Sequence, residues 1–343
     1  MKELGINPSI EKILLHGVGC SGGLAAIRAA ANLALGSSFR RRPARIVVIA
    51  CEISSLLVRS ELDSINKDQK TRIGVCLFSD CASACVLSNG IGPEPFGGKA
   101  VFDLLGWEHK IIEDTEDDLG FDVDPLGRQT HSVLESTSFA DEFPGWKVIL
   151  TPRVPSIAAA AVPPTFESLL GSIPSLRKAT TKPTTAADFD WALHPGGSTI
   201  ITGVQSAMDL TEEHLRASYE IYVNYGNSSS ATIMAVMNRL RNMGQGKENV
   251  VACAFGPGIA LEMMILRRSK NRNTNDHATA ESLATENGHS TTYEGTPSNT
   301  LAATNGYASS NGDMAENGHA TDTETGLQSI QEMERSLAVL EID

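Results

Sequence analysis

Residues 16–23 read HGVGCSGG, a glycine-rich stretch that carries one cysteine, Cys20, between two apolar segments. The apolar residues 13–18 predict a buried strand, and the alanine-rich residues 21–35 predict a helix. A thiol at the start of a helix lies at the positive end of the helix macrodipole, which favours the thiolate and lowers the thiol pKa. The glycines permit a sharp turn and leave the sulfur open to a ligand. The local pattern fits a cysteine nucleophile and, equally, a small thiol packed in a tight strand–helix turn.

The bulk composition indicates a globular protein. The chain has 343 residues, of which 41% are apolar, which suffices for one large domain or two smaller ones. The sequence has no run of apolar residues long enough to span a membrane and no basic segment followed by an apolar one at its start. Six cysteines in mostly apolar surroundings are expected to be reduced thiols, so a cytoplasmic location is expected.

The negative charge is concentrated at the carboxyl end. Of the formal net charge of −13, residues 271–343 contribute −10, with 12 acidic and 2 basic side chains, and the preceding residues contribute −3. A nearly neutral body lacks the broad basic surface of a nucleic-acid-binding protein. The acidic tail has few apolar side chains and is predicted to be disordered, with a short amphipathic helix possible over residues 327–342.

Apolar patterning predicts an α/β protein, with alternating strands and helices up to residue 89. Residues 90–146 are rich in Gly, Pro and acidic side chains and are predicted to be irregular. The predicted strands are 13–18, 44–51, 71–77, 190–200 (running into a turn) and 250–267 (broken at 256–258); the predicted helices are 21–35, 154–170, 211–225 and 228–241.

Three further motifs follow Cys20 along the chain. They are WALHPGG at 191–197, which carries His194, YGNSSS at 225–230, which carries Asn227, and AFGPG at 254–258, a glycine turn between apolar segments. Each motif is weak alone, because a strand-end histidine is often structural and Asn227 could cap a helix. Together, a cysteine, a histidine and an asparagine supply a nucleophile, a base and a second hydrogen-bond donor.

The order and spacing of these motifs, over roughly residues 4–267, resemble the type III polyketide synthases of the chalcone and stilbene synthase family. Further matching segments are LGINPS at 4–9, CEI at 51–53, and LFSD at 77–80. The resemblance implies a thiolase-like layered α/β fold (αβαβα). Residues 1–150 would form a partial amino-terminal half with the cysteine, and residues 151–270 the carboxyl-terminal half with the histidine and asparagine, followed by the tail.

The resemblance also implies roles for the three polar residues. Cys20 would accept an acyl group from an acyl-CoA starter, with His194 holding it as thiolate. His194 and Asn227 would hydrogen-bond the thioester oxygen of malonyl-CoA and stabilise the enolate that decarboxylation leaves. Repeated Claisen condensation would then build a polyketide. The family needs no metal or organic cofactor and works as a homodimer.

Further residues match positions that line the substrate cavity in this family. Phe78 matches an aromatic gate, and Val148 stands where the family has a second gate aromatic. A smaller side chain there would suit a long acyl starter, which points to alkylresorcinol or alkylpyrone products. The other cavity-lining and turn positions are Ser54, Leu57, Ser229, Gly256, Pro257 and Gly258. Starter length, number of extensions and mode of cyclisation stay open.

The chain departs from the family pattern in two places. Nineteen residues precede Cys20, where family members have a much longer segment, and residues 128–144 interrupt a stretch that is continuous in similar sequences. An incomplete amino-terminal half is expected to leave sheet edges and apolar faces uncovered. An inactive or unstable fragment is therefore the non-enzymatic alternative.

Three other functions compete with the polyketide synthase. Residues 19–23 also fit G-x-S-x-G, so a serine hydrolase could use Ser21 with His194 as base and Asp188 or Asp190 as orienting acid. A ketoacyl synthase-like condensing enzyme shares the cysteine, histidine and asparagine. A zinc site would use the three cysteines between residues 76 and 85, but their spacing favours packing. Those cysteines are Cys76, Cys81 and Cys85.

Overall fold

The computed structural model describes residues 5–55, 62, 65–66, 69, 73–92, 100–123, 146–177, 184–244, 246–269 and 338–342. The helices are α1 (Gly22–Phe39), α2 (Ile73–Leu77), α3 (Val154–Ser172), α4 (Pro174–Arg177), α5 (Ser198–Ala207), α6 (Arg216–Tyr225) and α7 (Thr232–Asn242). The strands are β1 (Arg45–Glu52), β2 (Cys81–Ser88), β3 (Phe102–Ile111), β4 (Leu119–Val123), β5 (Trp146–Leu150), β6 (Phe189–Leu193), β7 (Asn249–Gly256), β8 (Ala260–Arg268) and β9 (Ala338–Ile342). The predicted α/β class is confirmed.

One mixed sheet organises the described residues. Its strand order is β1-β2-β9-β3-β8-β7-β6, and β4 pairs separately with β5. Strands β6 and β7 run parallel, with Leu193 opposite Cys253, whereas the other neighbours in the large sheet are antiparallel. The parallel pair brings the carboxyl ends of β6 and β7 to the same edge of the sheet. That edge carries His194 and Gly256.

Helices cover both faces of the sheet at β7. Ala252 and Ala254 belong to a buried cluster shared with α1 and α7, whereas Val251, Cys253 and Phe255 belong to a second cluster shared with α3 and α5. A strand buried on both faces has a continuous apolar sequence rather than an alternating one, as β7 does. This layering confirms the strand over 250–256.

Helix α1 packs closely against the turn before α7 and the first turn of α7 because Gly23 has no side chain. A Cβ added at Gly23 would lie within 3.0 Å of the backbone oxygen of Ser230 and of Ile233 Cγ2. Only glycine therefore permits this close approach. The consequence is that the turns before the two helices, which carry Cys20 and Asn227, lie together.

Strand β1 lies at the edge of the sheet and has one face that the described residues leave open. Val48 and Ala50 are buried against α1, but Val47 and Ile49 are 61% and 66% exposed. Neighbouring β2 presents Ala84 and Val86 beside them. Among the described residues, this face of β1 is therefore an uncovered apolar surface.

Several sequence-based predictions are wrong. Residues 13–18 form no strand and lie in irregular backbone with Leu14 86% exposed, because no described strand pairs with them. Residues 73–77 form α2 rather than a strand, since a five-residue apolar run does not distinguish the two. Residues 90–146, predicted irregular, contain β3 and β4, and α5 follows β6 where only a turn was predicted.

The carboxyl end also differs from the prediction. Residues 338–342 form β9 rather than part of an amphipathic helix, because β2 offers an open edge with which they pair, Val339 opposite Leu87. The predicted disorder of residues 271–337 and the insert at 128–144 lie outside the described residues. The described residues belong to one compact unit, Met1–Ser269 with Gln331–Asp343. Within the described part of the chain, every helix is too short or too polar to cross a membrane.

Candidate active site

Cys20 lies in a 3-10 turn, Gly19–Ser21, that leads directly into α1. Gly17 and Gly19 have positive φ angles of 78° and 60°, which only glycine adopts without strain. The turn is closed by the Ser21 hydroxyl, which donates to the Val18 oxygen at 3.1 Å. The Cys20 side chain is half-buried.

The glycine turn at 256–258 packs directly on the Cys20 turn. A Cβ at Gly256 would lie 2.5 Å from the Val18 oxygen and also inside contact distance of Ser21 Oγ. Gly258 has a φ of 63°, and its carbonyl accepts a hydrogen bond from Thr115 at 3.1 Å. The end of β7 is thus joined to the cysteine by a contact that needs glycine, which gives a physical reason for the GPG motif.

Asn227 is placed by the chain reversal after α6. Gly226 has a φ of 70°, and a Cβ there would lie 2.7 Å from the Leu77 oxygen. The Asn227 N–H donates to that oxygen at 2.8 Å, and the Ser79 N–H donates back to the Asn227 oxygen at 2.9 Å. This bridge brings Phe78, which is half-buried, alongside Asn227.

The Asn227 side chain faces the cysteine. Asn227 Nδ2 lies 3.9 Å from Cys20 Sγ, and the Ser229 N–H donates to Asn227 Oδ1 at 2.8 Å. Asn227 Oδ1 also lies 3.9 Å from Cys20 Sγ, so the thiol can donate to the amide oxygen and the amide N–H can donate to the sulfur. Ser229 is buried and has a φ of 50°.

His194 follows β6 at the sheet edge that carries Gly256. Its N–H donates to the Cys253 oxygen at 2.8 Å, and its carbonyl accepts from Gly196 at 2.9 Å. The side chain is 1% exposed, yet neither ring nitrogen has a hydrogen-bond partner among the described residues. An unpartnered buried imidazole costs free energy, and both ring nitrogens stay available to hydrogen-bond a ligand.

Burial dominates the electrostatics of the site. It raises the pKa of the Cys20 thiol to about 11, while hydrogen bonds from Ser229 and Asn227 pull that pKa down and the charge of Glu52 pushes it up. Burial also lowers the pKa of His194 to about 3. Both shifts oppose charge, one on the sulfur and the other on the imidazole ring. Burial thus acts on the thiol pKa in the direction opposite to the helix macrodipole, and the thiolate stays a prediction.

The remaining predicted residues are placed unevenly. Ser54 is buried, next to Ser55, whose N–H donates to Asp80 at 2.6 Å. Leu57 lies outside the described residues, as does the side chain of Val148, whose backbone pairs with β4. Pro257 is half-buried in the turn at the Cys20 loop. The structure thus brings together Cys20, Asn227, Ser229, Phe78 and Gly256.

The sequence analysis assigned no role to Glu52 or Ser230. Ser230 Oγ donates to Glu52 Oε1 at 2.5 Å, at the end of β1 beside the Asn227 turn. The segment CEI was recognised as a family motif, but nothing local indicated that its carboxylate meets a residue 178 positions away.

The hydrolase arrangement is not assembled. Asp190 is held by Arg216 at 2.8 Å and by Arg268 at 2.8 Å; burial opposes its ionisation, but these two guanidinium groups outweigh burial and lower its pKa. Asp188 caps the turn at Thr185. Neither carboxylate pairs with His194, whose ring has no partner within the described ranges.

The zinc interpretation also lacks support. Among the residues that the structure describes, no three His, Cys, Asp or Glu side chains lie close enough to hold a metal ion. Cys85 is buried in the core and Cys76 is exposed on α2. Burial raises the pKa of the Cys85 thiol to about 12, as expected of a packing residue.

Comparison with known proteins agrees with this arrangement. The family models for the N-terminal and C-terminal domains of chalcone and stilbene synthases match residues 1–93 and 160–269. The type III polyketide synthase pspB of Penicillium soppii is 41% identical over 278 residues, covering 78% of this chain and 65% of the relative. The acylalkylpyrone synthase csyB of Aspergillus oryzae is 36% identical over 271 residues, covering 78% of this chain and 64% of the relative.

Solved structures give the same fold. A type III pentaketide synthase from Neurospora crassa superposes with a TM-score of 0.68 at 55% identity, covering 78% of this chain and 67% of that one. CsyB complexed with CoA-SH superposes with a TM-score of 0.69 at 36% identity, with the same coverage. The predicted thiolase-like fold is thereby confirmed, and the chain spans just under two thirds of the length of its curated relatives, 65% and 64%.

Proposed function

This chain belongs to the chalcone and stilbene synthase family, the type III polyketide synthases, and we propose that it extends an acyl-CoA starter with malonyl-CoA by decarboxylative Claisen condensation. The observation that carries the proposal is the approach of Asn227 Nδ2 to Cys20 Sγ at 3.9 Å. The unpartnered ring of His194 at the same edge of the sheet supports it. A buried amide beside a thiol, with a buried imidazole at the same edge of the sheet, is suited to bind a thioester oxygen.

The first step loads the starter. The Cys20 thiol loses its proton to the neutral imidazole of His194 as Sγ attacks the starter carbonyl. The carbon–sulfur bond to coenzyme A breaks, and the departing thiolate takes that proton.

The second step extends the chain. The Asn227 amide and a ring N–H of His194 donate to the thioester oxygen of malonyl-CoA. They stabilise the enolate that forms as the bond to the carboxylate breaks and CO2 leaves. The enolate carbon attacks the acyl-Cys20 carbonyl and the carbon–sulfur bond breaks, so Cys20 leaves as a thiolate, which takes a proton from water to restore the thiol. A β-ketoacyl-CoA is the product.

Substitution at the two facing residues tests the proposal. Cys20→Ala, with Ser21 intact, should abolish acyl transfer, and Asn227→Ala should lower malonyl-CoA decarboxylation by about 10²-fold, the usual effect of removing one oxyanion donor. Product mass spectrometry with acyl-CoA and malonyl-CoA measures both. Activity that survives in Cys20→Ala and is lost in Ser21→Ala would contradict the proposal.

We propose a long-chain starter and alkylresorcinol or alkylpyrone products. The support is a small residue, Val148, at a position where the family has an aromatic gate, together with 36% identity to a relative described as an acylalkylpyrone synthase. Val148→Phe should shift preference toward short starters in a panel of acyl-CoAs. Equal preference in wild type and variant would contradict it.

The remaining features are proposed on family grounds. They are a cytoplasmic homodimer, coenzyme A thioesters as substrates, and no metal or organic cofactor. Light scattering of the purified chain measures the oligomeric state. Carrier-protein thioesters offered beside coenzyme A thioesters separate this enzyme from a ketoacyl synthase-like one.

A second candidate is an inactive or unstable member of the family. The open face of β1, with Val47 and Ile49 exposed, favours it. A cooperative thermal transition together with consumption of malonyl-CoA would exclude this candidate. Aggregation without decarboxylation would establish it.

A further inference from the structure

Strand β9, near the carboxyl end of the chain, joins two parts of the large sheet. One part is the pair β1 and β2, on which α1 packs; the other contains β3, β8, β7 and β6 and carries His194 and Gly256 at its edge. Among the described strands, β9 alone pairs with both parts. The sheet is therefore continuous only through residues that follow residue 337.

The register of β9 shows that it is paired on both sides. Val339 lies opposite Leu87 of β2 and opposite Phe102 of β3, and both pairings are antiparallel. Ala338 also has a partner on each side, and the pairing with β2 continues to Ile342. A strand with two neighbours uses the N–H and C=O groups of both its edges. The first residues of β9 are thus held by two backbone ladders.

Without β9, two strand edges would be open at once. The other neighbour of β2 is β1, and the other neighbour of β3 is β8, so each would have one unpaired edge. Open edges present unpaired N–H and C=O groups and pair readily with other chains. Helix α7 contacts both β2 and β9 and so lies across this place. The gap between β2 and β3, which we call the strand slot, has the form that accepts an extended peptide by strand addition.

The path of the chain favours its own carboxyl end as the occupant of the strand slot. Arg268 at the end of β8 and Val339 of β9 both lie opposite Phe102, one on each side of β3. Neighbouring strands are about 4.8 Å apart, so these two residues are about 10 Å apart. Both belong to the same compact unit. A strand tethered to the body that contains its slot has a higher effective concentration there than a second copy at micromolar concentration.

We propose that the strand slot between β2 and β3 is a peptide-binding site, that residues 338–342 of the same chain fill it, and that this strand holds the two parts of the sheet together. The end of the acidic tail is thereby a structural part of the folded body. The inference is independent of the proposed function, because the backbone register of β9 carries it.

A chain that ends at residue 334 empties the strand slot, and a synthetic peptide of residues 335–343, RSLAVLEID, should refill it. Hydrogen exchange followed by mass spectrometry measures the amide protection of β2, of the start of β3, and of β7 as an internal reference. We expect the shortened chain to lose protection at β2 and β3 but not at β7, and its Tm to fall by a few degrees. The peptide should restore both, and the full chain should not bind it at the same concentration.

Two proline variants provide a matched pair. Val339→Pro removes a donor where β9 is paired on both sides, so it should weaken binding of the peptide by about tenfold or more. Leu337→Pro, one residue before the described strand, is the control and should bind as the unmodified peptide does, because proline is tolerated where a strand begins. In the full chain, Val339→Pro should reproduce the exchange pattern of the shortened chain, and Leu337→Pro should not.

Unchanged exchange at β2 and β3 in the shortened chain overturns the proposal, as does equal binding of the two proline peptides. Should the shortened chain fail to fold, the two full-length variants decide: loss of protection in Val339→Pro alone supports the proposal, and equal behaviour of the two overturns it. The shortened chain is also mixed with the full chain. Protection restored by that mixing would show that the strand is exchanged between copies, and would overturn the assignment to the same chain.

Discussion

Alanine in place of Gly23 tests the close approach of α1 and α7 that brings Cys20 and Asn227 together. The chain offers a matched control in the same helix, because a Cβ at Gly36 meets nothing within 4 Å. A Cβ at Gly23 instead lies within 3.0 Å of the Ser230 backbone oxygen and 2.7 Å from Ile233 Cγ2. Neither neighbour is the free end of a flexible side chain, so the helices must shift.

The two substitutions should change stability in opposite directions. Alanine gains up to about 1 kcal/mol over glycine within a helix, which Gly36→Ala should realise almost in full. Gly23→Ala gains less helix stability because it lies near the helix start, and the overpacking it causes destabilises the fold by about 1–3 kcal/mol. We expect the free energies of unfolding of the two variants to differ by about 1–3 kcal/mol, or a few degrees in Tm.

Urea unfolding followed by circular dichroism measures this difference, with the slope m compared between variants to check that the same transition is observed. Decarboxylation of malonyl-CoA is the second measurement, since displacement of the Ser230 turn also displaces Asn227. Equal stabilisation by both alanines would refute the close packing of α1 on α7. Lower stability with unchanged decarboxylation would refute the coupling between that packing and the site.

Asp190→Asn should lower the free energy of unfolding by about 3–5 kcal/mol in urea, because it leaves the largely buried Arg216 and Arg268 without their carboxylate. The control variant Glu220→Gln, at the helix surface, should lower it by at most about 1 kcal/mol. Equal effects would refute a buried ion-pair cluster. Burial lowers the pKa of His194 from 6.5 to about 3 in the folded chain. Between those two pH values only the unfolded chain binds the proton at this residue. The free energy of unfolding should therefore fall by about 1 kcal/mol per pH unit as the pH drops below 6.5. His194→Gln should reduce that slope, measured by urea unfolding between pH 7 and pH 4, and an identical slope would contradict the burial of a neutral imidazole. Chelation with EDTA should leave acyl transfer unchanged, and loss of activity restored by added zinc would overturn the metal-free reaction.

The parts of the fold that the sequence predicted are those with a local cause. The turn at Cys20 needs glycines with positive φ, and the continuous apolar run of β7 requires cover on both faces, so both features can be recognised in the sequence. Helix α3 and the break at 256–258 were predicted for the same reason. Local signals of this kind place elements within a few residues.

The errors have a non-local cause. Residues 13–18 are as apolar as a buried strand, but no described strand pairs with them, and residues 338–342 form β9 because β2 has an open edge. A short apolar segment does not determine its own secondary structure; it forms a strand where a neighbouring strand is available to pair with it. The Glu52–Ser230 contact joins residues 178 positions apart, so only the folded chain shows it.

The ionisation of Cys20 illustrates the same division between local and distant causes. The helix start, visible in the sequence, favours a thiolate, and its effect is at most about 2 kcal/mol even in favourable geometry. Burial is a property of everything packed around the turn, including Gly256 and the Ser229 turn, and it raises the pKa of the thiol to about 11. Burial therefore opposes the effect of the helix start on the thiol pKa. The same holds for His194, whose pKa is lowered by burial that its local sequence does not reveal.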